Sequence, residues 1–370
     1  MKLPDFKLER YFADWEFKAP YLLCSSDLES MSIKDLLAYE PEAAEEMHGL
    51  WLGYTESAGN PALRASIAGL YQQIEPSQTL VFSGAEEAIF IFMNAVLEKG
   101  DHLIVHYPSY QSLFEIADAI GCEVTRWQAQ EESGWSLDLD FLESSIRPNT
   151  RAIVINCPHN PTGYLMNRSD FERLIEIARR HNMLLFSDEV YRLLEYDLQT
   201  RLPAACDLYE NAVSLGVMSK AYGLAGLRIG WIATQNREIF KQSASFKDYT
   251  TICNSAPSEF LATLALRHSE KILARNVGII QKNLPLLDRF FEQWQDYFQW
   301  QKPLAGPIAF PHLQKDLPVT DFCRKLVEKK GVLLLPGTLY DGNSNNFRLG
   351  FGRKNMPEAL QRLEDFLREL

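Results

Sequence analysis

Close-spaced cysteine pairs are missing from this sequence. Its six cysteines, Cys24, Cys122, Cys157, Cys206, Cys253 and Cys323, are scattered along the chain. They lack the CxxC or Cys/His grouping that holds zinc and the density of a secreted disulfide scaffold. They are expected to be reduced, mostly buried thiols. Long apolar runs are missing as well. No stretch nears the ~18 uninterrupted apolar residues of a membrane span. The opening Met1-Lys2-Leu3-Pro4-Asp5 does not have the basic-then-apolar order of a signal segment, so the cytoplasm is the expected location. Positive charge is in deficit: 37 Lys and Arg stand against 49 Asp and Glu, a net charge of −12. A nucleic-acid or anionic-membrane partner needs a basic surface and is argued against. A local basic pocket for a small anion is untouched by that balance.

What is present is an ordinary globular composition, 46% hydrophobic and 23% charged, over 370 residues. That length exceeds what one core usually covers and predicts two domains of unequal size. There is no internal repeat and no low-complexity tract, so organisation must be read from periodicity. Between about residues 79 and 234, short β-rich apolar runs alternate with helical patterns. The runs are 79–83, 102–106, 123–127, 151–156, 183–187, 212–218 and 229–234. Between them lie helical stretches such as 85–99, closed by Gly100, and 169–181, where Ser169 and Glu172 are spaced as a capping box. Apolar strands separated by amphipathic helices predict an α/β fold, with a mainly parallel mixed sheet covered by helices.

After about residue 258 the pattern changes. A long helical region to residue 298 is followed by a Pro/Gly-marked stretch, a helix ending near Gly331, strands over 332–335 and 347–351, and a last helix from Asn355. This reads as a smaller α+β domain. The expected division is a large domain over 46–260 and a small one built from 1–45 and 261–370. Trp15, Phe17, Tyr21 and Trp51 stand as either substrate-pocket aromatics or core.

Three segments carry residue types that make chemical sense together. Asn156-Cys-Pro-His-Asn160-Pro161-Thr162-Gly163 follows a buried strand, where a rigid turn would present an amide at the edge that binds ligands in open α/β sheets. Ser187-Asp188-Glu189-Val190-Tyr191 ends another. Two acids there face desolvation unless they meet a partner, and Asp188 reads either as a helix N-cap or as a carboxylate holding a cation. Met218-Ser219-Lys220-Ala221-Tyr222-Gly223-Leu224-Ala225-Gly226-Leu227-Arg228-Ile229-Gly230 follows a third. A lysine ending a buried strand is costly unless paired or covalently used, and desolvation lowers its pKa in a way that suits imine formation. Gly223, Gly226 and Gly230 are expected to let the backbone pass close to a ligand, and Arg228 offers a forked anion binder.

In this order the three segments resemble the class I/II aminotransferases, the fold-type I pyridoxal-phosphate enzymes, and the resemblance runs from about Tyr54 to Arg348. It implies that Lys220 carries pyridoxal 5'-phosphate as a Schiff base and that Asp188 pairs with the pyridine nitrogen. Asn160 and Tyr191 would hydrogen-bond the ring's phenolic oxygen, and Arg228 would clamp the phosphate. The backbone N–H groups of Ala85 and Glu86, at a helix start after Ser83-Gly84, would hold the same phosphate. Tyr110 would stack on the ring, Tyr54 would reach the phosphate of a neighbouring subunit, and Arg348 would grip the substrate α-carboxylate. Many relatives carry Ser or Thr where this chain has Val217. Either Ser219 substitutes, or the phosphate has one ligand fewer. No second arginine for a dicarboxylate side chain is evident.

The implied activity is amino transfer between an α-amino acid and a 2-oxo acid, catalysed by a homodimer with shared sites. Asp188 would keep the ring nitrogen protonated, and Lys220 would move the substrate proton. Elimination or β- or γ-replacement on the same scaffold is the alternative, since fold does not decide reaction type. A non-enzymatic ligand sensor ranks low. No helix-turn-helix pattern precedes residue 45, and Lys220, Asp188 and Arg348 are all retained.

Overall fold

A computed structural model describes residues 2–340 and 344–370; Met1 and residues 341–343, which fall within the ranges expected for the smaller domain, lie outside them. All seven expected strands form, and they join in one sheet: β1 (Thr79–Phe82), β2 (His102–Tyr107), β3 (Glu123–Gln128), β4 (Thr150–Asn156), β5 (Leu184–Asp188), β6 (Ala212–Val217) and β7 (Gly230–Ala233). Their order across the sheet is β1-β7-β6-β5-β4-β2-β3. Only β7 runs against its neighbours. Burial explains the composition: β1, β2, β5, β6 and β7 are buried along their whole length, whereas the edge strand β3 is mostly exposed and carries Glu123, Arg126 and Gln128. Strands covered on both faces read as unbroken apolar runs, and an edge tolerates charge.

Helices between the strands supply the cover. The helix Arg168–Arg180 buries Phe171, Leu174, Ile175 and Ala178 on one face, as the spacing predicts. It starts earlier than expected. Asn167 is the N-cap, its side chain accepting the Asp170 N–H at 2.9 Å, and Ser169 instead donates to Asn167 Oδ1 at 2.7 Å. An Asn two residues upstream thus caps the helix at the Asp170 N–H, which leaves Ser169 and Glu172 inside the first turn with no box to form. The long helical region is two helices, Ala256–Arg267 and Ser269–Gln293, broken at His268.

The C-terminal part has the expected helix Val319–Lys330, ended by Gly331 in the left-handed region, then β strands Leu335–Pro336 and Phe347–Gly350 and the helix Met356–Leu367. The segment 332–335 is less regular than a single strand. Val332 bridges to Tyr21, and Leu335 pairs with Arg348.

The N-terminal segment begins with α1 (Lys7–Trp15) and then threads between the sheet and the C-terminal part. The Tyr11 hydroxyl donates to the Leu334 carbonyl, Leu333 N–H donates to the Tyr21 carbonyl, and Gly350 N–H donates to the Leu23 carbonyl. Five cysteines are buried, Cys253 is half-buried, and all six are free. Among the described residues no helix is long and apolar enough to cross a membrane.

Candidate active site

The carboxyl ends of β4, β5 and β6 and the segment after β1 open into a cavity of about 420 Å³. Such an edge is where open α/β sheets bind ligands. Lys220, three residues past β6, lies there with its Nζ donating to Ser26 Oγ at 2.9 Å. Burial holds its ammonium below the ordinary lysine range, with Asp27 opposing the shift. Asp188, the last residue of β5, is buried in the same wall. Burial pushes its carboxyl up to about 7, against the Val190 N–H that donates to Oδ1 at 3.2 Å and against the charge of Lys220. No helix begins at Asp188, so the N-cap reading fails and the carboxylate faces the cavity wall. The Tyr191 ring lies 5.9 Å from Lys220 Nζ. Its buried hydroxyl makes no hydrogen bond of ordinary geometry among the described residues, with only the Ser26 side chain close by. An orphaned buried hydroxyl is costly unless a ligand completes it.

A second wall is built for an anion. The helix Ala85–Val96 begins after Gly84 with no side chain capping its first turn, so its leading N–H groups and positive dipole end are available. Ala85, Glu86 and Arg228 all line the cavity here. Arg228 adopts φ 52, a sparsely populated region for a residue with a side chain, and its guanidinium lies against Gly84. Gly230 lets β7 pass under this turn, for a Cβ there would stand 2.6 Å from the Gly84 carbonyl carbon. The other two glycines do not behave as expected. A Cβ at Gly223 would meet Leu28 and Glu29, and one at Gly226 would meet nothing within 4 Å. The Glu86 carboxylate accepts from Ser112 Oγ at 3.0 Å, and burial, with Glu9 and Asp188 adding, raises it to about 7.

The third wall joins distant parts of the chain. Arg348 Nε donates to the Cys24 carbonyl at 3.0 Å, and its Nη1 donates to Tyr340 Oη at 2.8 Å and Asn160 Oδ1 at 3.2 Å. Among the described residues the N–H groups of Nη2 have no acceptor, so this buried guanidinium keeps donors for a ligand. Asn160 is held from behind, its N–H donating to Asn156 Oδ1 at 2.6 Å while Asn156 Nδ2 donates to the Asp188 carbonyl. His159 ties this turn to the one carrying Tyr110. Its Nε2 donates to the Pro108 carbonyl at 2.8 Å and its Nδ1 accepts from Thr162 Oγ1 at 2.7 Å. Burial presses its pKa down to about 3, so the ring is neutral.

The family model for aminotransferase class I and II matches residues 20–363. The chain belongs to that family. It is 35% identical, with a TM-score of 0.94, to the crystal structure of a PLP-dependent aminotransferase from Streptococcus suis 89-1591, covering 100% of this chain and 99% of that one. It is 28% identical to capreomycidine synthase of Streptomyces vinaceus, over 94% of this chain and 90% of the relative. It is 25% identical to an aspartate aminotransferase of Sulfolobus acidocaldarius, over 89% and 86%.

This aminotransferase-family chain is a pyridoxal-phosphate-dependent transferase. The residues present fit the cofactor. The uncapped helix start and Arg228 suit a phosphate, buried Asp188 has no ion pair among the described residues beyond the more distant charge of Lys220 and suits a pyridinium, and the buried Tyr191 hydroxyl suits a phenolic oxygen. Tyr110 lines the cavity with its hydroxyl donating to Glu9 Oε1 at 3.0 Å. Ser219 and Val217 line it too. Tyr54 does not. It is 89% exposed, on a loop with exposed Trp51 and Leu52 that Thr55 pins to the Asn254 carbonyl, beside exposed Tyr249 and Ile252.

Sequence reasoning missed the N-terminal contribution. Leu8, Glu9, Phe12 and Glu16 of α1 and Ser26 and Asp27 beyond it line the cavity, whereas Trp15, Phe17, Tyr21 and Trp51 do not. Phe17 is 92% exposed and Trp51 82%. The available signal was helical: residues 8, 12 and 16 repeat at one face, apolar except for a single acid. Tyr340 was also missed.

Proposed function

We propose that this enzyme moves an amino group between an α-amino acid and a 2-oxo acid, with Lys220 both holding the cofactor and carrying the proton. The observation that supports it is the meeting of Lys220, Asp188, Asn160, Tyr191 and Arg348 around one cavity. When bound, pyridoxal phosphate supplies an electron sink that acidifies the substrate Cα–H. Asp188 would hold a proton on the pyridine nitrogen, which would offer its buried carboxylate the ion pair that it lacks among the described residues. Asn160 Nδ2 and the Tyr191 hydroxyl would donate to the phenolic oxygen, and the Ala85 and Glu86 N–H groups, Ser219 and Arg228 would hold the phosphate.

Arg348 orients the substrate through its α-carboxylate. Cys24, Tyr340 and Asn160 fix the guanidinium, so the carboxylate meets donors that need no reorganisation. Lys220 Nζ, its basicity lowered by burial, would take the proton from the substrate Cα and serve as the acid that gives it back. The exposed apolar side chains Trp51, Leu52 and Tyr54, on a loop that Thr55 ties to the Asn254 carbonyl, support a homodimer in which Tyr54 completes the partner's phosphate site.

The likeness to a protein named capreomycidine synthase favours a second reading, elimination or replacement on the same residues. The test is the absorbance of holoenzyme titrated with amino acids, coupled to product analysis. A 2-oxo acid with conversion of the cofactor to its amino form supports transfer; a ring-closed or β-substituted amino acid with no such conversion supports the second reading. Lys220→Ala should lose borohydride-trapped cofactor and essentially all turnover. A label on another lysine sinks the assignment.

A further inference from the structure

Most charges around the cavity have a use or a partner. Arg228, Asp188, Lys220 and Arg348 are engaged by the reading above, Asp27 is held by Arg353 Nη2 at 2.9 Å to each oxygen, and Glu86 is held by Ser112. Two acids are left over, both on α1. Glu9 and Glu16 are seven residues apart, which puts them two turns apart on one helix face with Phe12 between them. Among the described residues Glu9 accepts from the Tyr110 hydroxyl alone. Half-buried Glu16 makes no hydrogen bond or ion pair from its carboxylate among the described residues.

Helix stability does not explain Glu16. It is the C-cap of α1, where an acid meets the negative end of the dipole. Burial first, then Asp27 and Glu9, hold its carboxyl above the ordinary range. Arg353 and Lys220 offset this only in part, so the acids at this end of the cavity stand to gain from a further positive charge. That this cavity takes a ligand is carried independently by the buried Tyr191 hydroxyl. Arg228 and Arg348 are the only arginines lining it among the described residues, so a second substrate carboxylate would meet acids rather than a base.

We propose that the substrate's side chain is cationic, an ammonium or guanidinium that docks against Glu16 and Glu9 while the α-carboxylate sits on Arg348. This deepens the reading above and rests on its placement of the carboxylate. It is tested by calorimetric titration of the holoenzyme with acids that lack an α-amine and therefore cannot react: 5-guanidinopentanoate, its neutral counterpart 5-ureidopentanoate, and adipate. The guanidino acid is expected to bind about tenfold tighter than the ureido acid, with adipate weakest. Glu16→Gln should shrink the guanidino-to-ureido ratio to about threefold or less. Equal affinities for the two in the wild type, or adipate binding tightest, would overturn the proposal. So would an undiminished ratio in both Glu16→Gln and Glu9→Gln. Because these ligands report binding alone, a clear charge preference without any amino-transfer product would sink the transfer reading and leave the cation site standing. Transfer from neutral or acidic amino acids with no charge preference would do the reverse.

Discussion

A Cβ on Gly84 would stand 2.5 Å from Nη2 of Arg228, 144 residues further along the chain. The glycine sits at φ 94, ψ 172, a region essentially closed to other residues. The arginine is therefore seated in the space that a missing side chain leaves at the helix start. Gly84→Ala should displace it and weaken pyridoxal-phosphate binding about tenfold or more, with backbone strain costing roughly 1–2 kcal/mol besides. Cofactor titration followed by absorbance reads the first effect and thermal unfolding the second. Undisturbed cofactor affinity would show that Arg228 does not depend on this contact.

Asp188→Asn should bind the cofactor and slow Cα deprotonation by about a hundredfold or more, because a neutral pyridine draws electrons poorly. A primary isotope effect with deuterated substrate checks that this step is the one affected.

The same carboxylate gives a pH signature. Its folded value of about 7 lies above that of an unfolded aspartate, about 4. Between those values the cofactor-free folded chain holds a proton that the unfolded chain has released, so the stability contribution of Asp188 falls as pH rises and is fully lost above about 7. A pyridinium relieves that loss. The rise in Tm on adding cofactor should therefore exceed that of Asp188→Asn by a margin that grows between pH 5 and pH 8, by roughly a few degrees. A margin constant with pH would mean that Asp188 does not meet a cation.

Arg348→Ala should lower kcat/KM for α-amino acids by roughly two to three powers of ten, since removing one half of a buried charge pair costs about 3–5 kcal/mol. Simple amines of similar shape should lose far less. Equal losses would mark a structural arginine, which its bonds to Cys24, Tyr340 and Asn160 make a real competitor.

Tyr54→Asp and Lys220→Ala, each inactive alone, should recover activity when mixed and allowed to exchange subunits. Each heterodimer then has one site with both lesions and one with neither. Exchange without recovery, or an active wild-type monomer, counts against a shared site.

The sheet was legible because its inner strands are buried on both faces and so write themselves as apolar runs, whereas the exposed edge strand β3 was placed by its position in the alternation. The site residues at its edge were legible because Asp188 and Lys220 are polar groups ending such runs, where burial without purpose is expensive. What stayed hidden depends on docking rather than pattern. Nothing local tells that α1 turns Glu9 and Glu16 toward Lys220, or that Ser26 meets the lysine amine. The Arg168 helix was misplaced at its start because two acceptable caps, Asn167 and Ser169, lie close together and only the fold chooses between them.

The Cys24 carbonyl and Arg348 Nε close a loop of 324 residues, and Asp27 and Arg353 close one of 326. Contacts of such separation are entropically the most expensive in the chain, and a topology resting on them folds slowly. The first thirty residues also meet Gln111, through Lys7 N–H to its Oε1 and its Nε2 to the Asp5 carbonyl, over separations of 104 and 106 residues. Lys220 and Asp188, by contrast, stand on a sheet whose neighbours in sequence are also neighbours in space from β4 to β7. The wall of the cavity that holds the cofactor therefore rests on contacts much closer in sequence than those of the wall that faces the substrate.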